Sequence, residues 1–199
     1  MDGLITYFLI LGVYHGINPG MGWLFSVAIA MQKESTIKIF TTHLPIALGH
    51  LLSLLIVVIL YEAVKHFIPF HFTKIIFAIL LVIFGIYKLY NKRHPNWTAM
   101  NVTHLDLFIW SFLMTSAHGA GLMLIPGLSL HAEHDMMAIS KSGMFAMLFH
   151  MLGMITISIT VAFSVYKIIG LRILRSAWIN FDYIWSFVLI VAGIFVLFV

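Results

Sequence analysis

Eleven histidines stand in a chain with only seven carboxylates and no cysteine. Four of them, His15, His50, His118 and His150, fall well inside long apolar runs. Neutral imidazole is the commonest nitrogen ligand for transition metals and also a proton carrier near neutral pH. Placing such a polar group in hydrocarbon costs a few kcal/mol on insertion scales, so it faces the interior of a helix bundle. An interhelical hydrogen bond is the plain use for one membrane histidine. Four at similar depth point instead to a shared polar site that binds a cation.

The neighbouring residues extend that site. Met147, His150, Met151 and Met154 recur at helical spacing, as do Met114, Thr115 and His118. Thioether with imidazole suits soft ions, although methionine is also ordinary flexible packing. Asn18, Pro19, Gly20 and Met21 interrupt the first apolar run, and Gly119 follows His118. Such a break exposes backbone groups that can line an ion or substrate pathway, or present half-helix amides to an anionic group. Asn18, Pro19, Gly20, Met21, Thr115, Gly119 and Met154 are therefore the pathway candidates, and His15, His50, His118 and His150 the metal candidates. His131 and His134, in the loop HAEHD, form a candidate peripheral metal site, with a solvated polar turn as the alternative. His66 and His71 lie in another loop on the same side. His43 falls at a membrane boundary, where a polar residue needs no special role.

The elements that must hold these residues follow from composition. Of the 199 residues 62% are hydrophobic and 9% charged, against about a quarter charged in soluble domains. The chain reads as an all-α integral membrane protein. A hydrocarbon core of about 30 Å takes about 20 apolar residues of helix, and six runs qualify: 3–31, 43–61, 72–90, 106–129, 143–166 and 181–199. The first is expected to be two half-helices meeting at Asn18-Pro19-Gly20. The N-terminus lacks the basic region and cleavage site of a secretory signal, and reads as part of a retained span.

A weak duplication orders the spans. YHGINPGMGW followed by ALGHLL answers to AHGAGLMLIPG followed by LFHMLG, pairing His15 with His118 and His50 with His150. Each copy, about 1–92 and about 104–199, holds three spans, so the second enters the membrane inverted, as in many secondary transporters. Lys33, Lys38, Lys88, Lys92, Arg93, Lys167, Arg172 and Arg175 follow spans one, three and five, against Lys65, Lys74 and Lys141 opposite. The positive-inside rule then puts both termini outside, in what reads as a prokaryotic cell membrane.

HGINPGMGW followed by LGH resembles the nickel/cobalt efflux (NicO-type) permeases of the lysine-exporter-like superfamily. His15, Gly16, Pro19, Gly20, Gly22 and His50 match that pattern. The resemblance implies six spans with ion binding between the halves. Where the family has a metal-binding histidine and then a lysine after Pro-Gly, this chain has Met21 and Trp23. The family's long His-rich loop is missing, as is the His-x4-Asp-His signature of nickel uptake. The exchange of methionine for histidine softens the site and brings in copper(I) beside nickel, cobalt and zinc.

The functional expectation is a transporter that binds a transition-metal cation near the bilayer midplane. One alternative is a membrane redox subunit with histidine-ligated haem, which a Soret band would reveal, or with histidine-ligated copper. Another is an exporter of an amino acid or other small polar solute. No nucleotide-binding motif, nucleophile turn or basic run for nucleic acid occurs, so enzyme activity is not expected short of a role in a membrane metalloenzyme. Lipid and the metal cation are the partners, with a homo-oligomer or larger membrane complex left open.

Overall fold

The computed structural model describes residues 2–65, 67, 70–90, 102–130 and 136–169, with isolated positions 187, 190, 191 and 194. Seven α-helices occupy them: α1 (Asp2–Ile17), α2 (Trp23–Gln32), α3 (Ile37–Lys65), α4 (Phe70–Tyr90), α5 (His104–His118), α6 (Leu124–Leu130) and α7 (Met136–Ser164). A 3₁₀ turn, Pro19–Met21, lies between α1 and α2, and a π-helical turn, Val165–Ile169, follows α7. The expected span 181–199 lies largely outside the described residues, as do His66, His131 and His134 and the side chain of His71.

Two of the helices are long and apolar enough to cross a membrane, over Ile37–Tyr61 in α3 and Gly143–Ile168 in α7. Their faces are sorted in the sense that lipid favours. On α3, His43, Ile46, His50 and Leu54 are buried at helical spacing, while Leu44, Leu48, Leu51 and Leu55 are exposed. On α7, His150, Met154 and Ser158 are buried, while Phe145, Leu148 and Leu152 are exposed. Polar groups turned inward behind an exposed apolar stripe fit membrane association.

The first run is broken where Asn18-Pro19-Gly20 predicts. Proline has no N–H to continue α1, and the Asn18 side chain accepts a hydrogen bond from the Gly20 amide at 2.9 Å, closing the turn. Gly22 then adopts φ 112°, a left-handed conformation that favours glycine. The run 106–129, expected as one span, is broken as well. There α5 stops at His118, Gly119 takes φ 69° as its C-cap, and α6 resumes only at Leu124. At its other end α5 starts with a capping box, in which Thr103 Oγ1 accepts from the Asp106 amide and the Asp106 carboxylate accepts from the Thr103 amide.

Helices pair in a reciprocal pattern, α1 along α7 and α3 along α5. Glycine sets both distances. A Cβ on Gly12 would run into the His150 carbonyl, and one on Gly49 into the Phe108 carbonyl. Gly12 meets His150 and Gly16 meets Met154, so α1 and α7 run parallel. Ser111 bonds the Ile46 carbonyl at 2.7 Å and Ser53 bonds Ser116 at 2.9 Å, so α3 and α5 are also parallel. The bonds His43–Ser158 and His50–His150 advance in opposite chain directions, which makes α3 and α7 antiparallel.

Candidate functional site: a buried histidine cluster

All four candidate metal histidines are buried, His15, His50 and His150 at 0% exposure and His118 at 2%. His15, His50 and His150 touch one another. The His15 ring lies edge-on to His50 and His150, with centroids 5.9 Å and 4.8 Å away. His50 and His150 are nearly parallel, with centroids 5.5 Å apart and Nε2 atoms at 3.2 Å. His118 stands at the break in the first run, its Cε1 3.8 Å from where a Cβ of Gly20 would sit.

The hydrogen bonds assign the protons. His15 Nδ1 lies 2.8 Å from the Leu11 carbonyl and His118 Nδ1 2.7 Å from the Met114 carbonyl. A carbonyl only accepts, so both rings carry hydrogen on Nδ1 and, when neutral, a lone pair on Nε2. Metal-ligating histidines have this arrangement, the second nitrogen donating to a carbonyl. Between His50 and His150 one proton must lie. Were His50 the donor, neutral His150 would carry its hydrogen on Nδ1, which has no hydrogen-bond partner among the described residues. A buried, unmade N–H is costly. The network is better satisfied with His150 Nε2–H donating to His50 Nε2, and His50 Nδ1–H donating to Thr115 Oγ1 at 2.8 Å.

Sulfur surrounds the break. Met21, Met114 and Met154 are 0%, 3% and 1% exposed. Met21 packs with Met154, Ile46 and Leu107, and Met114 Cε comes within 3.4 Å of the Cβ position of Gly20. Asn18 is less available as a ligand than its position implies, since its side-chain oxygen holds the turn through the Gly20 amide. Trp23 is the second clasp, its indole N–H donating to the Ile17 carbonyl at 3.0 Å. Gly119 caps α5 directly after His118, and Thr115 joins the cluster through His50.

Among the described residues no three His, Asp or Glu side chains are arranged to hold a metal ion as they stand. The His50–His150 pair comes nearest. Two nitrogens about 2.0–2.1 Å from a tetrahedral ion lie about 3.3 Å apart, close to the observed 3.2 Å. The proton between them would have to leave or move to Nδ1 of His150. Among the described residues the buried polar set consists of imidazoles, hydroxyls and Asn18.

His43 departs from its expected boundary role. It is 3% exposed on α3, its Nδ1 donates to the Ile39 carbonyl at 2.6 Å, and its Nε2 accepts from Ser158 of α7 at 3.0 Å. The seven-residue spacing to His50, which returns to the same helical face, was the available signal.

No family model, curated protein or solved structure compared with the chain matches it.

Proposed function

We propose that this chain is a six-span membrane transporter that passes a transition-metal cation through the cluster of His15, His50 and His150, with His118 at its edge. The observation that carries the reading is the 3.2 Å approach of His50 and His150, with His15 against both rings. Four polar rings gathered in an apolar bundle incur a solvation penalty that a ligand-binding role repays. The site's makeup favours a soft ion. Copper(I) is matched by imidazole together with the thioethers of Met21, Met114 and Met154.

Two inverted three-span repeats are supported by the reciprocal, parallel pairing of α1 with α7 and α3 with α5, and by helix ends directly after His15 and at His118. In that layout the repeats rock about a fixed midplane site, with both termini outside a prokaryotic cell membrane. The resemblance to nickel/cobalt efflux permeases agrees with this plan.

The test is cation movement in proteoliposomes, with copper(I), nickel(II), cobalt(II) and zinc(II) supplied separately. Wild type is expected to move at least one of them, and His15→Ala and His118→Ala to lose that activity while still inserting. Full activity in both variants overturns the assignment. Export of a small polar solute is the second reading, favoured by the lack of a ready three-ligand set among the described residues; it predicts no cation movement in any of the four assays.

A further inference from the structure

Two helical turns from the cluster, a second histidine site joins α3 to α7. His43 lies seven residues before His50, and Ser158 eight after His150, about 10 Å and 12 Å along their helices. Its surroundings differ from those of the cluster. His43 has one ring nitrogen on the Ile39 carbonyl and the other on a hydroxyl, with no second imidazole bonded to it. That leaves too few ligands for a metal but suits a proton. A hydroxyl both donates and accepts, so Ser158 can serve either charge state. With neutral His43, Ser158 donates to Nε2. With Nε2 protonated, the ring donates to Ser158 Oγ, and the serine hydrogen turns to the carbonyl one turn back, as helical serines do. Nδ1–H keeps its bond to Ile39 throughout.

A second polar group shares the seam. Ser26 of α2 is 0% exposed, and its Oγ has no hydrogen-bond partner among the described residues. It lies on the buried face of α2 whose other members pack with Ile39 and Ala162, one turn from His43 and Ser158 respectively. Among the described residues the titratable groups at this end are Lys33 and Glu34 beyond α2, Lys38 on α3, Tyr87, Lys88 and Tyr90 in the last turn of α4, His104 and Asp106 on α5, and Tyr166 and Lys167 beyond α7. None is a hydrogen-bond partner of His43.

We infer that His43, with Ser158 as its two-state partner, is a proton-binding station on the lysine-rich side of the histidine cluster, separate from it. The proton comes from water at that end of α3 and adds to the Nε2 lone pair; no other bond changes. Coupling of this proton to cation passage rests on the function proposed above, whereas proton binding does not.

The experiment has two arms on the full chain. In detergent with ¹⁵N-labelled histidine, the His43 ring is expected to protonate reversibly between pH 4.5 and 8. Ser158→Ala is expected to move its midpoint by half a pH unit or more, and Ser158→Thr, which keeps the hydroxyl, to restore it. A His43 ring that stays neutral across that range, or a midpoint indifferent to Ser158→Ala, overturns the station. In proteoliposomes, His43→Gln is expected to cut pH-gradient-driven cation movement at least tenfold, while movement down the cation's own gradient stays within twofold. Unchanged pH-driven movement in His43→Gln overturns the coupling. If wild type moves no cation at all, the transport reading fails and the NMR arm still decides the station.

Discussion

His50 and His150 are 100 residues apart in sequence, and their Nε2 atoms share a hydrogen bond of 3.2 Å inside the bundle. The bond joins α3 to α7, each of which also carries a parallel partner, α5 or α1, on which another polar group of the site stands. Moving any of these four helices changes the geometry of the pair.

Thr115 holds His50 in its tautomer through the 2.8 Å bond to Nδ1. Thr115→Val keeps the shape and leaves a buried ring N–H unmade, which costs about 1–3 kcal/mol. Thr115→Ser keeps the hydroxyl and is expected to stay near wild type. Thermal unfolding in detergent reads the difference. Loss of this outer partner is also expected to weaken cation binding about 10- to 100-fold.

Gly12 fixes the separation of α1 and α7 because backbone, not a flexible side chain, occupies the space next to it. Gly12→Ala must push His150 aside, at about 1–3 kcal/mol by the usual cost of overpacking. Gly3 sits on the same helix with nothing within 4 Å of its added Cβ. Gly3→Ala is therefore the control, with a melting temperature expected to match wild type.

The break after α1 was legible because proline and asparagine announce it chemically. The break after α5 was not. Gly119 and Gly121 are the residues there, and a glycine within an apolar run signals only a modest helix penalty, not the positive φ that Gly119 adopts. Pro126, the more visible marker, lies inside α6 instead. Burial of the four candidate histidines could be read from hydropathy, which reports depth. Which helices pair, and hence that the rings of His15, His50 and His150 meet, depends on contacts between distant segments. His43 went unread for a related reason, because its depth suggested an edge whereas its azimuth on α3 turns it to α7.

Topology is testable without background, since the chain contains no cysteine. Single cysteines at Lys33 and Lys167 are expected to react with an impermeant thiol reagent only from the cytoplasmic side. A cysteine at Phe67, 88% exposed at the far end of α3, is expected to react only from outside. Labelling of all three from one side would contradict the inverted arrangement.

Cation binding is expected to weaken on acidification. Ligating imidazoles must be neutral, so protons compete for the same nitrogens and binding is strongest on the alkaline side. Equilibrium dialysis between pH 5.5 and 8 checks the sign. Affinity that rises as pH falls would point to an anionic or solute ligand instead.

Elemental analysis of purified protein, equilibrated with copper(I), nickel(II), cobalt(II) or zinc(II) and then desalted, asks most directly whether the histidine cluster holds a cation. About one ion per chain is expected for at least one of the four metals, with its loss in both His50→Ala and His150→Ala. No retained metal in wild type, or equal retention in both variants, would contradict it.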